Sequence, residues 1–203
     1  MRTLRKIAVF CGSNFGSDEV FRTQAVELGH QLAHEGIDLV YGGTQKGTMG
    51  VLADAFLEGG GSAHGVITQR LHDKGHTHPG LSQIEIVSTL RERKQRMIDN
   101  ADAFIALPGG IGTLEELLSV WSLNQLDEID KPFGALDVGG YYQPLVNMID
   151  KMIADGFLPE AHRHSIVVQP RAIELLQGLR SFVRVSAPKW LPEPDARTQT
   201  AER

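Results

Sequence analysis

The chain has 203 residues, with 20 lysines and arginines against 25 aspartates and glutamates, which gives a formal net charge of −5. With 41% hydrophobic and 22% charged residues, the composition is typical of a globular domain and excludes a disordered or coiled-coil chain. The acidic balance argues against nonspecific binding to nucleic acid or to an anionic membrane, and the single cysteine excludes an intramolecular disulfide.

No targeting or membrane-spanning segment is predicted. The N-terminal Met-Arg-Thr-Leu-Arg-Lys leads into only five apolar residues, 7–11, which is too short for a secretory signal. Other apolar runs fall far short of the roughly 20 residues of a membrane span. We therefore expect a cytoplasmic protein with neither a nucleic-acid nor a membrane partner.

Short β-branched and aromatic runs alternate with amphipathic stretches of helical length, which is typical of βαβ units in a parallel sheet. The predicted strands cover residues 6–11, 37–41, 63–68, 84–88, 103–107, 133–138 and 165–168. The predicted helices cover residues 18–34, 49–57, 90–100, 113–125, 142–154 and 171–179. We expect an α/β fold with a Rossmann-like open, mainly parallel sheet and helices on both faces.

A single domain is predicted over residues 1–185. The remainder, residues 186–203, contains three prolines and little apolar periodicity, so it is predicted to form a flexible C-terminal tail. Trp190 is the one tail residue suited to docking on a neighbouring surface.

Three glycine-rich loops follow predicted strands, at the edge where open α/β sheets bind ligands; they cover residues 11–16, 42–50 and 108–113. The first and third do not fit the dinucleotide fingerprint, and the second has Thr48-Met49 where a P-loop has Lys-Ser/Thr. One such loop alone is best explained as a tight turn. Three at one edge favour a phosphate site made of backbone N–H groups, to which Thr113 adds a hydroxyl.

Glu116 has two interpretations. Residues 113–116, Thr-Leu-Glu-Glu, fit a capping box, in which the glutamate bonds back to the helix N-terminus, and this is the commoner outcome. Alternatively, a carboxylate one turn into a helix that begins at a phosphate loop lies close enough to act on a bound ribose. Its neighbour Glu115 points about 100° away around the helix, so we expect it to face solvent or a subunit interface.

The predicted helix over residues 90–100 supplies candidate cationic ligands. Taken alone, the sequence of this helix is best explained as a solvent-exposed charged helix in which Glu92 and Arg96 form an i, i+4 ion pair. At the sheet edge beside the glycine loops, Arg93 and Lys94 become candidate ligands of phosphate or sugar oxygens. The positions expected to be buried are Leu90, Met97 and Ala101.

Two histidine groups are candidate metal sites: His72, His76 and His78, and the pair His30 and His34. No cysteine or well-spaced carboxylate completes either set, so no metal site is predicted. Cys11, at the end of a strand, is expected to be a small core residue rather than a nucleophile.

Two motifs carry a family resemblance. Residues 108–116, Pro-Gly-Gly-Ile-Gly-Thr-Leu-Glu-Glu, match P-G-G-x-G-T-x-x-E, and residues 92–94, Glu-Arg-Lys, match the R-K motif of the Lonely-guy (LOG) family of cytokinin riboside 5′-monophosphate phosphoribohydrolases. The chain resembles this family from Ile7 to about Leu179. Further similar segments are residues 10–13, 41–43, 47–50, 78–81, 131–132 and 140–142. The family has also been labelled lysine decarboxylase, but no segment resembles a pyridoxal-phosphate site.

The resemblance implies a homodimer that hydrolyses the N-glycosidic bond of AMP and N6-substituted AMP without a cofactor or a metal, releasing free base and ribose 5-phosphate. It implies that Arg93 and Glu116 form the catalytic pair. Together with the glycine loops, it gives these candidate substrate-binding residues: Lys94, Gly109, Gly110, Ile111, Gly112, Thr113, Ser13, Gly43, Gly47, Thr48 and Met49.

Some positions depart from the family pattern. Gly75 stands where an acidic residue is common, and Leu90-Arg91 replaces Met-His, so base preference and rate stay open. The preferred N6 group and the biological role, cytokinin production or nucleotide salvage, are also open. The alternatives are a non-catalytic nucleotide-sensing or carrier module, and a phosphoribohydrolase for another monophosphate such as a pyrimidine nucleotide.

Overall fold

The computed structural model describes residues 1–186, and the rest of the predicted tail, with Trp190, lies outside the described residues. Seven strands form one sheet: β1 (Lys6–Phe10), β2 (Asp38–Tyr41), β3 (Ala63–Thr68), β4 (Gln83–Val87), β5 (Ala103–Ala106), β6 (Phe133–Leu136) and β7 (Val167–Gln169). Seven α-helices connect or follow them: α1 (Glu19–His34), α2 (Gly47–Glu58), α3 (Gln69–Asp73), α4 (Leu90–Asp99), α5 (Ile111–Gln125), α6 (Gln143–Ala154) and α7 (Ala172–Ser181). Two short 3₁₀ helices cover Val138–Gly140 and Glu160–His164.

The strands are ordered β4-β3-β2-β1-β5-β6-β7, and every neighbouring pair is parallel. The register of the central pair joins Ile7 to Ala103 and Phe10 to Ala106. Consecutive strands β1 to β4 build one side of the sheet, whereas β5 returns to the other side of β1. Strand order therefore reverses between β1 and β5, and the crevice outside their carboxyl ends is where such sheets bind ligands.

Both faces of the sheet are covered by helices. Along β1, Ile7 and Val9 point into a core shared with α1, α2 and α7, whereas Ala8 and Phe10 point into a second core with α4, α5 and α6. This alternation explains why the central strands are apolar throughout, since a parallel sheet buries both of its faces. The predicted Rossmann-like α/β fold is confirmed.

Several predicted boundaries differ from the structure. Helix α2 begins at Gly47 rather than at residue 49, α5 begins at Ile111 rather than at residue 113, and the five-residue α3 was not predicted. The prediction that Leu90 is buried is wrong: its side chain is 68% exposed because it opens α4, ahead of the turns that pack on the sheet. Within residues 1–186, no helix has the length and apolar character needed to cross a membrane.

Candidate active site

A cavity of about 230 Å³ lies at the carboxyl end of β1, between α4 and the start of α5. This is the crevice where the strand order reverses. The predicted site residues that line it are Ser13, Met49, Arg93, Gly110, Ile111, Gly112, Thr113 and Glu116. Residues from three separate glycine loops and from α4 are thus brought together at one place.

A buried ion pair forms one wall of the cavity. The Arg93 Nη1 atom lies 3.5 Å from Glu116 Oε1, and the two side chains are 11% and 14% exposed. Arg93 Nε also donates a hydrogen bond to the Val66 carbonyl of β3 at 2.8 Å. The guanidinium is therefore anchored to the sheet on one edge and faces the carboxylate with the other.

The pKa of Glu116 is shifted towards neutral pH. Burial removes water from the carboxylate and raises the pKa of Glu116 to about 7, although the charge of Arg93 acts in the opposite direction. A carboxyl group with this pKa exchanges protons readily at neutral pH, as acid–base catalysts do. Such a shift in a cavity marks Glu116 as a functional candidate rather than a structural anion.

Gly42 makes room for the arginine. A Cβ built on Gly42 would overlap Arg93 Nη2 and would lie 2.8 Å from Met49 Sδ. Gly42 belongs to the predicted glycine loop over residues 42–50 but was not among the predicted site residues. The sequence feature that could have identified Gly42 is its position directly after a strand, where the close approach of another group to the backbone often requires glycine.

The capping-box interpretation of Glu116 is wrong. The N-cap of α5 is Gly110, in an extended conformation and with no side-chain cap, so Thr113 lies inside the first turn. The Thr113 side chain packs against Gly109, and Glu116, one turn further along α5, reaches Arg93 instead of the helix end. The carboxylate is therefore free of a capping role and available to a ligand.

The first turn of α5 is suited to binding an anion. Its leading N–H groups have no acceptor within the helix, and the helix dipole adds positive potential at this end. Ile111, Gly112 and Thr113 all line the cavity, and Ser13 of the first glycine loop faces the same space. A phosphate placed here would leave its attached sugar within reach of Glu116, one turn along the helix.

Other predicted substrate-binding residues do not line this cavity. The Thr48 hydroxyl accepts a bond from Gly12 N at 3.0 Å and donates to Gly12 O at 3.1 Å. Gly47 packs against the Ser13 backbone, and Gly43 takes the left-handed conformation, with φ of 70°. These residues shape the loops, and their contact with substrate stays a prediction.

Two further predicted residues lie next to the cavity. Lys94 Nζ donates to the Glu115 carboxylate and, at 2.9 Å, to Ser119 Oγ. Gly109 lines an adjacent cavity of about 180 Å³ that also includes Phe21. Glu115, which was expected to face solvent or a partner, is half exposed and paired with Lys94. The substrate contacts of Lys94 and Gly109 stay predictions.

The Glu92–Arg96 pair proposed for α4 does not form. Glu92 instead accepts a hydrogen bond from the Ser88 N–H at 3.0 Å, while Thr89 caps α4 by accepting from the Glu92 N–H. Arg96 pairs with Glu85 of β4, 3.1 Å away. Glu92, the first carboxylate of α4, therefore caps the N-terminus of the helix. A prediction from i, i+4 charge spacing does not consider this alternative partner.

Two of the histidines considered as metal ligands have other polar partners. His72 Nδ1 bonds to Thr77 Oγ1 at 2.9 Å, and His78 Nε2 bonds to Asp54 at 3.0 Å. Within residues 1–186, no three His, Cys, Asp or Glu side chains gather into a metal-binding group. Cys11 lines the cavity, where burial and then the charge of Glu116 raise its thiol pKa, so the thiol stays protonated.

The positions that depart from the resembled pattern lie outside the cavity lining. Gly75 occupies a left-handed turn after α3, with φ of 69°, and its carbonyl accepts a bond from Gln45 Nε2 at 3.2 Å. Arg91 is exposed on α4. Neither residue lines the cavity that holds Arg93 and Glu116.

Comparison with known sequences identifies close relatives. Residues 49–179 match a family profile described as "Possible lysine decarboxylase". The chain is 45% identical over 179 residues to "Probable cytokinin riboside 5′-monophosphate phosphoribohydrolase LOGL1" of Oryza sativa subsp. japonica, covering 88% of this chain and 80% of that protein. It is 44% identical over 179 residues to "Cytokinin riboside 5′-monophosphate phosphoribohydrolase LOG1" of Arabidopsis thaliana, covering 88% of this chain and 84% of the relative.

Solved structures share the fold at lower sequence identity. The molybdenum cofactor carrier protein from Chlamydomonas reinhardtii superimposes with a TM-score of 0.64 at 19% identity, over 86% of this chain and 96% of that chain. At this level of identity the likeness concerns the architecture of the sheet and helices alone.

Proposed function

The chain belongs to the LOG family of cytokinin riboside 5′-monophosphate phosphoribohydrolases, and from this premise we propose how its cavity works. The protein is an N-glycosyl hydrolase that acts on AMP and N6-substituted AMP and releases free base and ribose 5-phosphate. The observation that carries the assignment of its site is the buried Arg93–Glu116 pair, which faces the first turn of α5 within one cavity.

The reaction adds water across the bond between the base and ribose C1′. As this bond breaks, positive charge develops on the sugar, and the Glu116 carboxylate stabilises it. Glu116 takes one proton from the attacking water, whose oxygen bonds to C1′. The electron pair of the broken bond leaves with the base nitrogen, which takes up one proton from solvent, and Glu116 returns its proton to solvent. Arg93, fixed by the Val66 carbonyl, holds the carboxylate and orients the ribose.

The phosphate is the handle that positions the substrate. N–H groups at the start of α5 bind it, and that remote binding energy holds C1′ beside Glu116. Pyridoxal phosphate, the cofactor a decarboxylase of lysine would use, does not fit this site. It requires a lysine for its Schiff base, and among the described residues no lysine lines the cavity.

The test follows release of free base by chromatography from AMP and from isopentenyladenosine monophosphate. Wild-type protein is expected to release base from both, and Glu116→Gln to lose at least about a hundredfold in kcat, as removal of an acid–base group does. Glu128→Gln is the matched control, because Glu128 is an exposed carboxylate just beyond α5 and is expected to retain wild-type rates.

Other outcomes distinguish the alternatives. Binding of AMP without any release of base by the wild type would favour the nucleotide-sensing or carrier module. Release from a pyrimidine monophosphate but not from AMP would favour the phosphoribohydrolase of different base preference. Equal rates on AMP and adenosine would contradict the use of the phosphate as a handle.

We further propose that the protein acts as a cytoplasmic homodimer that pairs through α5. Ile111 is 83% exposed and Leu118 is 44% exposed, and together with Leu114 they form an apolar groove along this helix. Ile111 lines both this groove and the catalytic cavity, so a second copy would border the site. Residues 1–185 are proposed as the nucleotide-binding unit.

A further inference from the structure

We propose that Tyr141 is a positioning residue for the phosphate site, an inference that rests on the proposed function. Its hydroxyl fixes the peptide between Gly109 and Gly110, so that the Gly110 N–H stays directed at the substrate phosphate. Tyr141 itself does not line the cavity that holds Arg93 and Glu116. It lines the adjacent cavity, which shares Ser13 and Gly110 with the first, so its proposed action is through the glycine loop.

The tyrosine is placed by a tight turn and by aromatic neighbours. It follows the 3₁₀ helix Val138–Gly140, in which Gly139 and Gly140 have φ of 59° and 78°. Its ring meets Phe21 of α1 edge-on with centroids 5.9 Å apart, and meets Tyr142 at 5.2 Å. The Tyr141 hydroxyl donates a hydrogen bond to the Gly109 carbonyl at 2.5 Å.

This bond sets the direction of a donor on the opposite side of the peptide. A trans peptide is planar, so its carbonyl and the following N–H point in opposite directions. With the Gly109 carbonyl turned to Tyr141, the Gly110 N–H points away from the tyrosine. Gly110 lines the catalytic cavity, and its N–H has no hydrogen-bond partner within residues 1–186.

Without the tyrosine hydroxyl, this peptide would be held only by the packing of Gly109 against Thr113 and by the bond from the Leu114 N–H to the Gly110 carbonyl. Glycine allows both signs of φ at low cost, so a Gly-Gly peptide can rotate more easily than one between larger residues. A Cβ built on Gly110 would meet no atom within 4 Å, so no neighbouring side chain packs on that side of the residue. The bond from Tyr141 therefore adds a direct restraint on the direction of the Gly109 carbonyl.

The expected consequence is specific to ligands that carry the phosphate. Tyr141→Phe removes the hydroxyl and keeps the ring between Phe21 and Tyr142. We expect KM for AMP and Ki for ribose 5-phosphate to rise by the same factor, about fivefold, as loss of one hydrogen bond predicts. Because the catalytic pair is untouched, kcat for AMP should stay within about twofold, and Ki for adenosine should not change.

Tyr142→Phe is the matched control. It removes the neighbouring hydroxyl, which donates to the buried Leu107 carbonyl at 2.7 Å at the end of β5. We expect this variant to unfold at a lower temperature but to keep the wild-type ratio of Ki for adenosine to Ki for ribose 5-phosphate. A change in that ratio for Tyr141→Phe alone separates positioning of the phosphate site from general stability.

One result would overturn the inference: an unchanged ratio in Tyr141→Phe, whether both affinities stay as in the wild type or both fall by the same factor. The proposed function is tested separately by release of base from wild-type protein. If the wild type binds AMP but releases none, calorimetric Kd values for ribose 5-phosphate and adenosine, in wild type and Tyr141→Phe, still decide the role of Tyr141.

Discussion

At the scale of single residues, the site depends on a carboxylate whose charge is only partly stabilised. Glu116 is buried, its partner Arg93 stands 3.5 Å away, and a further hydrogen bond ties that arginine to Val66. A tighter, bidentate pair would keep the carboxylate ionised and would bind both of its oxygens to the arginine. The open geometry and the pKa of about 7 leave Glu116 able to accept a proton at neutral pH.

The first prediction concerns pH. If Glu116 acts as a carboxylate, kcat/KM for AMP should rise about tenfold per pH unit below about 7 and level off above it, because the reactive form appears as its proton is lost. Steady-state rates between pH 5 and 9 test this. A profile that is flat or falls between pH 6 and 8 would contradict the assigned role.

The substrate phosphate also titrates, near pH 6, so binding must be measured in parallel. The pH dependence of Kd for ribose 5-phosphate gives that contribution without the chemical step. Once this contribution is subtracted, the remaining pH dependence of kcat/KM is due to groups on the enzyme.

The second prediction concerns Gly42. An alanine there would displace the Arg93 guanidinium from its place beside Glu116, since the new Cβ would overlap Nη2. A shift of about 1 Å at a catalytic group costs on the order of a hundredfold in rate. We expect Gly42→Ala to reduce kcat/KM by that order, with a smaller fractional change in folding stability, as measured by steady-state kinetics and thermal unfolding. Wild-type rates in this variant would show that the position of Arg93 is not critical.

At the scale of secondary structure, the decisive feature is where α5 begins. Its N-cap at Gly110 places three cavity-lining residues in the first turn and Glu116 on the second. A helix that began at Thr113 would use that threonine as its cap and direct Glu116 to the helix end. A difference of three residues in the N-cap, Gly110 rather than Thr113, thus separates a capping glutamate from one that faces the cavity.

The third prediction compares two glycines of this loop. A Cβ on Gly109 would overlap the Thr113 side chain, whereas a Cβ on Gly112 would meet nothing within 4 Å. Gly109→Ala is therefore expected to destabilise the fold by about 1–3 kcal/mol, as overpacking does. Gly112→Ala should leave the thermal midpoint unchanged or slightly raised, because alanine favours the helix.

Calorimetry of both variants and the wild type tests this comparison. The loss expected for Gly109→Ala corresponds to a midpoint lowered by several degrees, at about 2–4 °C per kcal/mol for a chain of this size. Equal midpoints for the two variants would contradict the tight packing of Gly109 against α5.

In the molecule as a whole, the reversal of strand order between β1 and β5 creates the crevice that holds the site. The exposed side of α5 is the surface of the proposed dimer. Leu117 and Trp121 pack into the core beneath this helix, whereas Leu118 and Leu126 remain about 45% exposed on its other side. Exposed apolar surface of this kind is typical of an interface.

The fourth prediction tests the proposed dimer. Leu118→Glu places a charge in the apolar groove of α5 and is expected to convert a dimer into a monomer, because burying that charge unpaired in an interface is costly. The matched control is Ile173→Glu, which alters a comparably exposed residue on α7. Light scattering coupled to gel filtration measures the mass of each variant, and a monomeric wild type would overturn the proposal.

The fold class, the approximate position of all seven strands and the Arg93 and Glu116 motifs could be predicted from sequence patterns. Alternating apolar runs and glycine-rich loops are local patterns, so each can be recognised in a short window. The helix α3 was missed because one isolated turn of five residues carries too little periodicity to stand out.

The tertiary structure alone decided which of these local patterns meet. The distance between Arg93 and Glu116, the space left by Gly42 and the bond from Tyr141 to Gly109 each join segments that are far apart along the chain. The raised pKa of Glu116 likewise arises from burial between α4 and α5. Such properties depend on how elements pack in three dimensions, because desolvation and contact are set by neighbours in space rather than along the sequence.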